Sequence, residues 1–506
     1  MLVDRTEIMK GRSIIKICNG VPRMPKWQMK TPVNFELLDG EQIAIYGENA
    51  SGKSMLVDII RGSHPLKMQE PSYDFYPSEK PLVSDNICYI AFRDCYGGDN
   101  DRTYFLQQRW NQQEIDESTP KVANILDEAY QLSGSDDSKH QKLRDTLYTL
   151  FDLQQLLDKY IILLSSGELR KVQLTKILLK DPRVLIMDNP FIGLDIQTRE
   201  QLRELLKQLI EQRPLQLILV INRQEDIPDF ITHVVEVKNK VVCNKLTLQE
   251  FKKTHSNSTY YKLSDEKREL LFTLSNKNKE PQDQTIVKLN QVSICYGNRI
   301  ILDKLSWTIK TNEKWALSGR NGSGKSTLLS LICADNPQSY ACDITLFGHH
   351  RGSGESIWDI KKNIGYVSPE MHRAYQRDIS CIKIVASGLK DSIGMYVRTT
   401  KEEEEQCHAW MSVFGLSDLE ERSFMQISSG EQRLILLIRA FVKAPDLLIL
   451  DEPLHGLDDK QCFYIKEIID TYCSIPGKTL IMVSHYENEL PSCINNRKYL
   501  TKSISK

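Results

Sequence analysis

Long apolar runs are missing from this chain: none of its 506 residues lies in a stretch approaching the ~18–20 apolar residues that crossing a bilayer requires. Membrane work, if it does any, is therefore expected to pass through another chain. An excess of charge is missing as well. The 66 basic and 67 acidic residues leave a formal net charge of −1, which argues against a broad nucleic-acid-binding face built on net charge. Residues 1–16 lack the apolar core of a secretory signal. The 12 cysteines include no C-x-x-C pair, so neither a zinc site nor a disulfide framework is expected, and free thiols in a cytoplasmic protein are the simplest reading. What remains, 41% hydrophobic and 26% charged residues, is the composition of a globular chain long enough for about two to four domains.

The chain's most informative stretch occurs twice. Residues 47–54 read G-E-N-A-S-G-K-S and residues 319–326 read G-R-N-G-S-G-K-S, the full G-x-x-x-x-G-K-[ST] phosphate-binding pattern in each half. Each copy follows an apolar run that reads as a strand (42–46 and 314–318) and opens onto a helix-like run, the setting the motif requires. In the first copy Gly47, Asn49 and Gly52 shape the loop; in the second Gly319, Asn321, Gly322, Ser323 and Gly324 do so. Backbone N–H groups then turn inward on phosphate oxygens, and the helix start adds its partial positive charge. Lys53 or Lys325 can reach the outer phosphates, and the hydroxyl of Ser54 or Ser326, the latter followed by Thr327, can hold Mg²⁺.

The repeat extends beyond these loops. Ser165-Ser166-Gly167-Glu168 and Ser428-Ser429-Gly430-Glu431 stand 263 residues apart, as do the aspartates Asp188 and Asp451 that end two apolar strands. Helices are expected over 169–180 and 432–443. Alternating helix and strand with continuously apolar strands argues for an α/β fold, two tandem P-loop domains each with a helical insert. The domains are expected at 1–245 and 284–506, joined by a polar linker over 246–283 in which residues 262–274 could form one short helix. The acidic run at 402–405 reads as a solvated helix face.

Two phosphate loops, two S-S-G-E turns and two Asp-ending strands together resemble the ATP-binding cassette (ABC) ATPases over nearly the whole chain. The resemblance implies ATP and Mg²⁺ as ligands, with Ser54, Asp188, Ser326 and Asp451 on the metal. It also implies internal pairing of the cassettes. Ser428, Ser429 and Gly430 would close the first nucleotide site, and Ser165, Ser166 and Gly167 the second. Tyr296, 23 residues before Gly319, matches the adenine-stacking aromatic; its counterpart is Met24, with Trp27 near enough to substitute. Glu452 matches the glutamate that polarises the attacking water, and His485 the switch histidine that contacts the γ-phosphate. Asn189 and Asn222 stand in their places in the first half, with the same 33-residue spacing. An amide holds water but cannot accept its proton, so the second site, with Lys325, Glu452 and His485, is expected to hydrolyse ATP, and the first to bind it and turn it over slowly. The glutamine that usually follows the I-G-Y-V-S-like strand is absent from both halves, which read Ile90-Ala91-Phe92 and Val367-Ser368-Pro369.

Within that superfamily, residues 343–368, with Arg351-Gly352-Ser353-Gly354-Glu355 and Trp358 as the most distinctive positions, resemble the tandem-cassette group of molybdenum-transport ModF and photorepair-type proteins. That likeness implies an energy-coupling subunit of an importer for an oxyanion such as molybdate, at the cytoplasmic face of the membrane and with a permease on separate chains. The alternative is a soluble ATP-driven switch on a ribosome, a nucleic acid or another protein. The translation-factor branch carries a long charged linker and both catalytic glutamates, features this sequence lacks.

Overall fold

The computed structural model describes residues 11–92, 119–132, 138–164, 166–255, 262–275, 284–296, 299–375, 377–392, 399–484 and 486–501. The chain divides into two compact units, Met1–Thr259 and Tyr260–Lys506.

In the first unit, strands β1 (Ser13–Gly20), β2 (Val33–Leu38), β3 (Ile43–Tyr46), β4 (Ser72–Tyr73), β5 (Ile87–Ala91), β6 (Val184–Asp188), β7 (Gln216–Ile221), β8 (His233–Lys238) and β9 (Val241–Thr247) form two sheets. The core sheet runs β5-β6-β7-β3-β8-β9, with only β8 and β9 paired antiparallel; the smaller sheet, β2-β1-β4, is antiparallel. Strand β6 shows why a continuously apolar run suits a parallel strand. Successive side chains point to opposite faces, and Leu185 and Met187 join a core facing the helical side while Val184 and Ile186 join one facing the small sheet and α1 (Lys53–Ile60). Both faces are covered, so every position must be apolar. The helical side is built by α2 (Val122–Leu132), α3 (Ser138–Leu150), α4 (Ser166–Leu178) and α5 (Ile196–Gln212).

The second unit repeats the plan. Its parallel core sheet, β15 (Ile364–Val367), β16 (Leu447–Asp451), β17 (Thr479–Val483), β12 (Lys314–Gly319) and β18 (Asn496–Leu500), lies in that order. An antiparallel sheet of β11 (Arg299–Lys310), β10 (Thr285–Tyr296), β13 (Ile344–Leu346) and β14 (His349–His350) joins it. Helices α8 (Lys325–Ile332), α9 (Pro369–Ala374), α10 (Cys381–Ser387), α11 (Lys401–Val413), α12 (Ser429–Phe441) and α13 (Asp459–Cys473) complete it.

The stretch between the two cassettes contains two helices. α6 (Leu248–Thr254) starts on a capping box between Thr247 and Glu250 and buries Phe251 in the first unit. α7 (Asp265–Ser275) buries Leu271 against the second unit, where Lys267 Nζ donates to Tyr464 Oη at 2.9 Å. The S-S-G-E helices begin three residues earlier than read from sequence. At α12 the reason is local: Ser428 accepts from the Glu431 amide at 3.3 Å and Glu431 accepts from the Ser428 amide at 2.8 Å, a reciprocal cap that fixes the start.

Candidate functional site

In each unit the phosphate loop leaves the carboxyl end of a central parallel strand, β3 or β12, and enters a helix, α1 or α8. That is the edge where open α/β sheets bind ligands. Gly52 (φ 106°) and Gly324 (φ 95°) turn the loop into its helix through left-handed backbone that disfavours other residues. Lys53 is buried and donates to the carbonyls of Gly47 (2.8 Å) and Glu48 (2.7 Å); Lys325 does the same to Gly319 (2.6 Å) and Arg320 (3.2 Å). Both ammonium groups therefore lie over their loops. Ser51 and Ser323 are buried, and among the described residues their hydroxyls lack a hydrogen-bond partner. A buried hydroxyl without a partner is costly, and a phosphate oxygen is an acceptor that would satisfy it. Ser54 and Ser326, one residue into the helices, are exposed. The loops thus fit a Mg²⁺-bound polyphosphate.

Neighbouring strands bring up the remaining groups. Asp188 ends β6, accepting from Tyr89 Oη at 3.1 Å and from Asn189 Nδ2 at 3.0 Å. Asp451 ends β16 in the same place and is buried. The next residues share one backbone: Asn189 and Glu452 both sit at φ 50°, and their amides donate to Val220 (2.9 Å) and Val483 (3.0 Å) of the adjacent strand. Asn222, past the end of β7, is buried and donates from Nδ2 to Asn49 Oδ1 of the phosphate loop at 2.9 Å. Asp451 and Glu452 line a cleft with Ser368, His372 and Arg433. Ser165 and His485 lie outside the described residues, and so does the side chain of Ser166.

Tyr296 Oη accepts from Asn336 Nδ2 at 3.0 Å, just after the phosphate-loop helix. The residue at the same place in the first unit is His64, and Trp27, not the largely exposed Met24, stacks on it with ring centroids 4.5 Å apart.

A profile of the ABC transporter family matches residues 31–192 and 302–455. The chain belongs to the ABC transporter family. As an ABC protein it is an ATP-binding ATPase with two tandem cassettes. It is 33% identical over 496 residues to the ABC transporter ATP-binding protein ModF of Escherichia coli, covering 96% of each chain. An uncharacterized ABC transporter ATP-binding protein of Schizosaccharomyces pombe is 30% identical over 492 residues, covering 96% of this chain and 98% of the relative. Among solved structures, an archaeal ribosome recycling factor crystallised with a ribosomal stalk protein matches 95% of this chain and 87% of its own, with TM-score 0.54 at 17% identity. An RNase-L inhibitor matches 91% and 83%, with TM-score 0.53 at 18% identity. These likenesses show the shared two-cassette fold. No helix among the described residues is long and apolar enough to cross a membrane.

The ABC repeat also explains a pair of arginines that motif reading passed over. Arg170 on α4 donates to the carbonyls of Pro190 (2.6 Å) and Ile192, and Arg433 on α12 donates to the carbonyl of His455. Ile192 and His455 are themselves 263 residues apart. Each arginine ties the S-S-G-E helix to the turn after the Asp-ending strand. The same-offset arginines are visible in the sequence, but only the fold shows which carbonyls they hold.

Proposed function

We propose that the second cassette hydrolyses ATP and the first holds it. The observation that carries this reading is the pair Glu452 and Asn189, on matching backbone, with a carboxylate at one and an amide at the other. Lys325 and the loop amides orient the γ-phosphate, and Glu452 accepts the proton of the water that attacks it, releasing ADP and phosphate. Ser326 and Asp451 in the second cassette, and Ser54 and Asp188 in the first, would hold Mg²⁺, which would supply charge neutralisation on the phosphates. His485 contacts the γ-phosphate, Tyr296 stacks the adenine, and Trp27 takes the stacking position in the first cassette. Pairing of the cassettes brings Ser428, Ser429 and Gly430 over the first nucleotide and Ser165, Ser166 and Gly167 over the second. Glu452→Gln is expected to lower ATPase activity by about 10²–10⁴-fold while ATP still binds; near-normal turnover would overturn the assignment.

Hydrolysis would drive a membrane importer whose permease is a separate chain, with an oxyanion such as molybdate as cargo. Support comes from the full-length likeness to ModF, named an ABC transporter ATP-binding protein. One observation favours the second reading, a soluble switch. Ser368 is spent capping α9, accepting from the Met371 amide at 3.1 Å, and Pro369 follows as its first residue. Neither offers the side-chain amide through which ABC transporters usually relay nucleotide state to a permease. Affinity purification from the native cell separates the two. A polytopic membrane protein in the eluate supports transport, and ribosomes or DNA without a membrane partner support the switch.

A further inference from the structure

The cleft beside Glu452 holds a side chain that the motifs do not assign. His372, on α9, lines it together with Ser368, Arg433 of α12, and Asp451 and Glu452 at the end of β16. Its ring reaches across to α12: Nε2 lies 3.1 Å from Gln432 Oε1, one residue beyond the S-S-G-E turn. Gln432 uses its Nε2 to donate to the Phe424 carbonyl at 2.7 Å. Its Oε1 is therefore the acceptor, and His372 must carry its proton on Nε2. In the neutral ring this leaves Nδ1 as the acceptor side. One imidazole thus stands in the wall of the Glu452 cleft while bonded to the first turn of the S-S-G-E helix.

We propose that His372 is a positioning residue for hydrolysis at the second cassette, keeping the Glu452 cleft in register with the start of α12. This rests on Glu452 as general base. The phosphate loop is on other elements, so loss of the ring should disturb the arrangement of base and water and leave nucleotide binding in place.

The test is steady-state ATPase kinetics on the full chain. His372→Ala should lower kcat about tenfold with KM within about twofold, since small misplacements of reacting groups carry costs of this order. His372→Gln, which restores an N–H donor toward Gln432, should recover kcat to within about threefold of the parent. Gln432→Ala should reproduce the loss, and the double variant should cost little more than either single change. Unchanged kcat in His372→Ala, a loss confined to KM, failure of the glutamine to rescue, or additive losses would each overturn the proposal. Thermal melting checks folding; if the alanine variant fails to fold, the other two single variants decide by the same criteria. Glu452→Gln is run alongside. Its near-normal activity would overturn the base assignment itself, whereas its expected loss beside an unaffected His372→Ala would overturn only the role of His372.

Discussion

A glutamate at φ 50° is held in a region that costs an L-residue other than glycine, asparagine or aspartate about 1–2 kcal/mol, yet Glu452 sits there and so does its counterpart Asn189. Asparagine suits that backbone and glutamate does not, so the second cassette keeps a strained residue where the proposed chemistry needs a carboxylate. Glu452→Asn should therefore raise stability by about 1 kcal/mol while lowering turnover by about 10²–10⁴-fold, read by calorimetry and phosphate release on the same sample. At the matching position, Asn189→Ala should leave steady-state hydrolysis within about twofold, because only background turnover is assigned to that site. The phosphate loops carry a similar contrast. Ala50 stands at φ 59° where the second loop has Gly322 at φ 76°. Ala50→Gly is expected to stabilise the first unit by about 1 kcal/mol; a lower melting temperature would count against strain at that residue. The exchange of glutamate for asparagine was legible in the sequence, because equal spacing aligns the two halves. The backbone strain was not, since φ depends on what the following turn packs against.

Among the elements, the loop after β14 is held by its own ion pair. Arg351 and Glu355 are buried against each other, and Arg351 also lies over the Tyr340 ring at 4.4 Å. Burial pushes the Glu355 carboxyl up, but backbone hydrogen bonds from Gly352 and from its own amide, with the Arg351 charge, outweigh it and hold the group below the ordinary carboxylate range. A depressed folded-state value means stability that is present above the unfolded-state range and is lost as pH falls through the lower folded value. Denaturation midpoints of the parent should therefore fall more steeply toward acid than those of Glu355→Gln. That variant should cost about 3 kcal/mol near neutral pH, because it leaves a buried guanidinium without its carboxylate. The sequence marked Arg351 through Glu355 as distinctive, and the structure supplies a reason: the segment closes on itself. For α12 the sequence placed the helix start too late, because S-S-G-E was read as a turn before the helix; its glutamate completes a cap that belongs to the first turn.

On the scale of the whole chain, the polar stretch read as a linker is divided between its neighbours. Phe251 anchors α6 in the first unit through a 5.2 Å edge contact with Tyr46, the residue before the phosphate loop, and His255, which caps the helix, places Nε2 3.1 Å from Glu236 Oε1 on β8. Leu271, fully buried, anchors α7 in the second. A fragment spanning 260–506 is expected to fold and melt cooperatively, and one starting at 284 to be less stable by about 2–5 kcal/mol, similar to Leu271→Ala in the full chain. Equal stability of the two fragments would refute the anchoring role of α7. The sequence by itself determined the duplication, the α/β class, both phosphate loops and the unequal pair Asn189 and Glu452. These are read at fixed spacing along one strand–turn–helix, where neighbours in the chain are neighbours in space. Only the tertiary structure decided which helix belongs to which unit, that Trp27 rather than Met24 meets His64, which carbonyls Arg170 and Arg433 hold, and that His372 shares a cleft with Glu452. Each of these joins residues tens of positions apart, and folding alone brings such pairs within reach of a hydrogen bond or a ring contact.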